Sequence, residues 1–352
     1  QPPTGAGRSF STDFSRATIS FDTVLSGGPP KDGIPAIDNP KFISIDEADS
    51  WLKPEEAVLV MRIENEGQTD THIYPLQILM WHEIVNDVVA KTPVTVTYCP
   101  LCNTGVAFHR GFDDRVLDFG TTGRLRFSNL IMYDRQTETW WQQATGRGVA
   151  GKYAGGHLKL LPVLTVSWEN AKERFSDAEV LSRETGYSRG YGSNPYRGYD
   201  RSSDPFLYRG PDVDSANEPM DRVLSVKHNG EWGAYTYKRL RSQRVIRDTV
   251  GGSDIVVFWQ EGTASALDAG SVSGGRDVGS ANAFVPKADG KNLEFSVENG
   301  SIVDEQTGST WDVSGTAVAG PLQGEELEPV AGVQHFWFSW AAFRDAEIRD
   351  GS

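Results

Sequence analysis

NLIMYDRQTETWWQQATGRGVAG, residues 129–151, and GSIVDEQTGSTWDVSGTAVAG, residues 300–320, share one skeleton. Each has an apolar strand, an Asp, a polar turn centred on Gln-Thr, a Trp-bearing strand and a closing Ala-Gly. The likeness extends outward in the same order. LLPV (160–163) matches LEPV (327–330), and VSWENAKERF (166–175) matches FSWAAFRDAE (338–347). Ser167 and Ser339 are then the expected helix N-caps. Upstream, VLVMRI (58–63) resembles VLSVKH (223–228), Tyr74 pairs with Tyr237, and TVTYCPLCNTG (95–105) falls on IVVFWQEGTAS (255–265). Single Trp-bearing hairpins resemble one another by accident. Six features in one order point to duplication.

The expectation is a mainly β fold with a few short helices, a β-rich α+β class, built from two divergent repeats packed as one body. Its parts are a Pro/Gly-rich arm at 1–48, a first repeat at 49–180, a Gly/Tyr/Arg-rich connector at 181–214 and a degenerate second repeat at 215–348. The two repeats differ where chemistry resides. Cys99 and Cys102 face Trp259 and Gly262, and His82 faces Gln243 or a neighbour. Packing needs belong to both copies, whereas chemistry is needed once.

With 352 residues the chain buries a core without staples. Its net charge of −14 repels nucleic acid and anionic membrane, which excludes both as main partners. No apolar run is long enough to span a bilayer. The arm, QPPTGAGRSFS followed by LSGGPPKDGIPAIDNP, reads as a cover over the body or a surface tether. It favours an extracytoplasmic setting, whether secreted, periplasmic or at the cell surface.

VTVTY is β-branched and alternating, so it predicts a strand ending at Cys99, because Pro100 removes a backbone donor. CPLC thus lies in a loop at a strand end, where a rigid frame holds functional groups. YPLQILMWHEIVND predicts a short helix from Pro75 and a strand turning at Asn86-Asp87, which puts His82 within reach of Cys99.

Three readings of the cysteines stay open. A disulfide closing so short a loop gains little stability, so a purely structural clip is a weak reason for the pair. Two thiolates with the His82 imidazole make a soft donor set that selects copper or zinc, for delivery or electron transfer. His109, Met80 and Arg124 are outer candidates, and no organic cofactor is indicated. Cys99 and Cys102 alone would instead serve a metal-free thiol–disulfide oxidoreductase. A third class is a non-enzymatic surface or assembly protein. Expected partners are accordingly a metal ion, a small molecule or a redox partner protein, and whether the chain is an enzyme stays open. His72 is a candidate outer group; His157, His228 and His335 read as structural. The arginines of the connector either pair with the chain's own acids or form a lid over the cysteine pocket.

YPLQILMWHEIVND, TYCPLCNTGVAFHR, NLIMYDRQTETWWQQATGRGVAG and TGYSRGYGSNPYRGYD resemble the signature blocks of an uncharacterised family of bacteria and archaea, domain of unknown function 3179, whose members are often exported. The resemblance covers about residues 30–345. It implies that Cys99, Cys102 and His82 are the family's hallmark and implies no established activity.

Overall fold

The computed structural model describes residues 2–213 and 216–350. The fold is mainly β with six α-helices among the described residues. The first half runs β1 (Ala57–Asn65), β2 (Gln68–Pro75), α1 (Leu76–His82), β3 (Ile84–Val89), β4 (Thr92–Cys99), β5 (Thr104–His109), β6 (Phe119–Arg126), β7 (Asn129–Asp134), β8 (Trp140–Gln142), β9 (Arg147–Ala150), β10 (Leu160–Leu161), β11 (Leu164–Ser167) and α2 (Trp168–Arg174). The second runs β12 (Arg222–His228), β13 (Glu231–Thr236), α3 (Tyr237–Gln243), β14 (Val245–Val250), β15 (Ser253–Gln260), β16 (Ser280–Phe284), β17 (Phe295–Glu298), β18 (Ser301–Asp304), β19 (Thr310–Trp311), β20 (Ala317–Ala319), β21 (Pro329–Val330), β22 (Gly332–Phe336) and α4 (Trp337–Asp350).

Strand order runs in parallel in the two halves. The orders β11-β1-β2, β3-β4-β5-β10 and β6-β7-β8-β9 have as counterparts β22-β12-β13, β14-β15-β16-β21 and β17-β18-β19-β20. Strands Val24–Ser26, Phe42–Ile43 and Glu179–Leu181 extend two of the first-half sheets.

Matched hydrogen bonds locate the equivalent residues. The turn after β7 is closed by the buried Asp134 carboxylate, which accepts from Thr137 N–H (2.6 Å) and Trp141 Nε1 (2.9 Å). Asp304 accepts from Thr307 N–H (2.6 Å) and Trp311 Nε1 (3.0 Å). The Tyr74 hydroxyl donates to Asp87 at 2.6 Å, as Tyr235, not Tyr237, donates to Asp248 at 2.9 Å. Tyr98 N–H bonds Glu83 O, and Trp259 N–H bonds Arg244 O. Cys99 is therefore matched to Gln260, one residue beyond the Trp259 expected. A one-residue slip in a strand exchanges the two faces, so the difference is physical. Similarly Trp168 N–H bonds Glu56 O while Trp337 N–H bonds Asp221 O. Ser167 is the cap of α2, accepting from Asn170 N–H, but Ser339 lies inside α4, one turn too late to cap it.

The predicted helix after Pro75 is α1, with Pro75 at its cap. The hairpin that follows turns at Ala90-Lys91 (φ 44° and 60°), not at Asn86-Asp87. Asn86 and Asp87 stay in the strand because their side chains have buried work there. Asn86 bonds the Phe119 backbone in both directions, and Asp87 holds His72 and Tyr74.

The halves are interlocked. The cluster holding Cys99 and Cys102 also contains Ala266, Leu267, Val272, Val333, Phe336 and Phe338 from the second half. A second cluster joins Val58, Val60 and Trp168 to Phe258, Phe284 and Trp311. The arm is bound down too: Phe10 packs edge-on to Tyr133 and Trp140, and Lys31 pairs with Glu138. Among the described residues no helix is long and apolar enough to cross a membrane.

Candidate functional site

β4 ends at Cys99, as its sequence predicts, and Pro100–Cys102 form one 3-10 turn. Asn103, at φ 50°, reverses the chain into β5, and the Tyr98 hydroxyl fixes its side-chain oxygen at 3.0 Å. Asn tolerates this left-handed backbone better than most residues. The turn sets the two cysteines one 3-10 turn apart, close enough for the Cys102 thiol to favour ionisation of Cys99. Both are free and buried.

Their environments differ. As a thiol, Cys99 donates to Ser128 O at 3.8 Å. Burial opposes its ionisation, yet the Cys102 thiol and the backbone N–H groups of Leu130, Cys102 and Leu101 favour the thiolate and hold its pKa below the usual value. Burial and the neighbouring Cys99 push Cys102 up, although Ser339 and Asn129 lie in hydrogen-bonding positions beside it. The buried Ser339 hydroxyl has no hydrogen-bond partner among the described residues. The pair is thus polarised into one thiolate-prone sulfur and one that keeps its proton.

His82 does not join them. Its Nδ1 bonds Pro35 O at 2.8 Å and its Nε2 meets the Tyr191 hydroxyl at 2.7 Å. A carbonyl only accepts, so the proton is on Nδ1, and burial lowers the pKa of the ring. Thr185 in turn bonds Tyr191 at 2.5 Å. The expected ligand set of Cys99, Cys102 and His82 is therefore not assembled, because the imidazole is spent on the arm and the connector. Among the described residues no group of three or more His, Cys, Asp or Glu side chains is placed to hold a metal ion. His109 sits at the far end of β5, opposite Val94, while Cys99 pairs with Thr104. Met80 is core. His72 is bound to Asp87 at 2.7 Å.

Arg124 lines a cavity of about 520 Å³ beside the cysteine turn. Leu101 and Leu130, whose amides face the Cys99 sulfur, form part of its wall. The arm contributes Pro29 and Ile34, and the connector contributes Tyr196, Arg197 and Tyr199. Tyr199 donates to Leu101 O at 2.8 Å, which ties the connector to the CPLC turn. Two of the connector's other arginines are used within the chain: Arg183 on Gln77 and Arg201 on Asp268.

Three residues near the site are not picked out as functional by the sequence reading. Glu83 lines the cavity, and burial together with the charge of Cys99 raises its pKa well above the ordinary carboxylate value. Its position directly after an apolar helix and before Ile84-Val85 was the available signal. Its left-handed backbone (φ 60°) is shared by Arg244, so that strain belongs to the frame and not to the site. Ser339 is the second. The third, His335, was read as remote, but β22 lies across β5 and puts it between Thr104 Oγ1 (3.3 Å) and Ser225 Oγ (3.0 Å).

The fold and site define a mainly β protein with one polarised, buried dithiol at a strand end, next to a cavity roofed by its arm and connector. By its match over residues 31–347, the chain belongs to the family described as protein of unknown function DUF3179. No curated protein and no solved structure matches it.

Proposed function

We propose that Cys99 and Cys102 are a dithiol–disulfide couple and that the protein is a thiol–disulfide oxidoreductase working without a metal. The observation that carries the reading is two free, buried cysteines held one tight turn apart at a strand end, with Cys99 kept below the usual thiol value. Such polarity is what a two-step exchange requires.

In the forward direction the Cys99 thiolate attacks one sulfur of a substrate disulfide. The substrate S–S bond breaks, a mixed disulfide forms, and the first thiolate leaves. Cys102 then loses its proton and attacks the Cys99 sulfur, so the second substrate thiolate departs as the Cys99–Cys102 bond forms. Two electrons pass from the protein to the substrate, and the two protein thiol protons end on the two product thiols. Glu83, held neutral, is placed to give a proton to the first leaving sulfur and to regain one when Cys102 ionises. Cys99 is 1% exposed and does not itself line the cavity, so exchange requires Leu101 or Leu130 to move aside. An extracytoplasmic setting, expected from the arm, is one where substrate disulfides persist.

The test uses reduced full-length protein and dithiodipyridine as substrate. Wild type should release two equivalents of thiopyridone and lose two hydrogens by intact mass. Cys102→Ser should stop at a stable mixed disulfide on Cys99, and Cys99→Ser should release thiopyridone at least about a hundredfold more slowly. A native protein that reacts only after unfolding, or equal rates for the two serine variants, would refute the couple.

A further inference from the structure

The cavity beside the dithiol has a composition that specifies what enters it. Its volume of about 520 Å³ lies in the range of small-molecule sites. Most of the wall is apolar, with Leu101, Leu125, Leu130 and Phe206 facing inward. Two cations line it, Arg124 and Arg197. Arg124 spends one nitrogen on Thr4 O at 2.7 Å, while Arg197 has no hydrogen bond or ion pair among the described residues.

The one carboxyl group in the lining adds no negative charge. Glu83 is 7% exposed, its side chain has no hydrogen-bond partner among the described residues, and it faces the cavity. Held neutral by burial, it is an O–H donor and leaves both cations uncompensated. The Tyr196 hydroxyl is a second donor without a partner among the described residues, kept un-ionised by burial. A buried polar group aimed into an apolar chamber costs free energy until a ligand satisfies it. The lining therefore offers an apolar slot, unspent donors and positive charge, adjoining the residues whose amides touch the Cys99 sulfur.

We propose that this cavity is the substrate site of the dithiol and takes a small carboxylic acid with an apolar body that carries a disulfide. The carboxylate pairs with Arg197 and Arg124, the hydrocarbon lies on Leu125, Leu130 and Phe206, and the disulfide reaches the Cys99 sulfur past Leu101. This rests on the dithiol reading for its chemistry but not for its binding. Reduction of a cyclic disulfide in this site balances simply. Cys99 opens the ring, the tethered thiolate takes a proton from Glu83, and Cys102 closes the protein disulfide as the second thiol leaves.

Two measurements separate the site from the chemistry. The first is calorimetric binding of octanoate and of octanamide to Cys99→Ser protein, where no exchange takes place. Octanoate should bind at least about tenfold more tightly than octanamide, and Arg197→Gln in the same background should remove that preference. The second is reduction of lipoate and lipoamide by the reduced protein with native cysteines, compared with its Arg197→Gln variant. Lipoate should be preferred about tenfold or more, and the variant should lose the preference. No binding of octanoate, or equal binding of acid and amide, overturns the cavity assignment even where the dithiol is active. Selective octanoate binding without lipoate reduction retires the oxidoreductase reading and leaves an acid-binding cavity.

Discussion

β4 and β15 occupy the same place in the two halves and are continued differently. After Cys99 the chain makes a single turn and returns as β5 at Thr104. After Gln260 it travels to Ser280 before β16 begins. The frame beneath is shared, down to Asp134 and Asp304, Tyr74 and Tyr235, and the left-handed Glu83 and Arg244. The short turn holds two sulfurs. The long loop holds Asp268, which binds Arg201 of the connector, and sends Leu267 and Val272 into the cluster around those sulfurs. The second half has the same strand order, and its longer loop helps to secure the roof of the cavity in the first.

The comparison is broken most forcefully at the shared frame. Asp134→Ala and Asp304→Ala each orphan a buried Trp N–H and a Thr N–H. Each should cost about 3–5 kcal/mol of stability by denaturant unfolding. A mild effect at Asp304 alone would show that the matched bonds do different work in the two halves.

A smaller effect is expected where the second half intrudes on the first. His335, paired with Val223 as Val166 is with Val58, has a pKa lowered by burial to about 3, against 6.5 unfolded. The unfolded chain then binds more protons between these values, so stability is full above 6.5 and is lost as pH falls towards 3. About 3 kcal/mol should disappear between pH 6.5 and 4. The same scan of His335→Val should be flatter by that amount, and an unchanged slope would move the acid lability elsewhere.

The smallest effect sharpens the contrast between Glu83 and Arg244. Folding raises the pKa of Glu83, so its native form keeps a proton the unfolded chain releases above about 4.5, and stability declines as pH rises. Glu83→Gln should therefore raise the melting temperature at pH 8 more than at pH 5. Arg244→Gln, in an exposed pair with Glu261, should move it little, by less than about 1 kcal/mol at either pH. Equal shifts for both variants at both pH values would show that Glu83 does not sit neutral.

Much of this was legible because its causes are local. The Asp-x-x-Thr turns, the strand ending before Pro100 and the helix opening at Pro75 each depend on residues within a few positions. What escaped depends on distant segments. The two partners of the His82 ring lie 47 and 109 residues away, and His335 meets Thr104 across 231. The hairpin was misplaced because Asn86-Asp87 has turn chemistry, which buried partners overrode. The dithiol could be located from sequence alone, but the polarity of its two sulfurs and the neutrality of Glu83 could not.

The way Leu267, Val272, Phe336 and Phe338 share one core cluster with the two cysteines has a practical corollary. Residues 49–180 are not a cassette that can be cut out and transplanted with their core closed. Anyone wishing to miniaturise this protein must redesign the wall that residues 215–348 now supply.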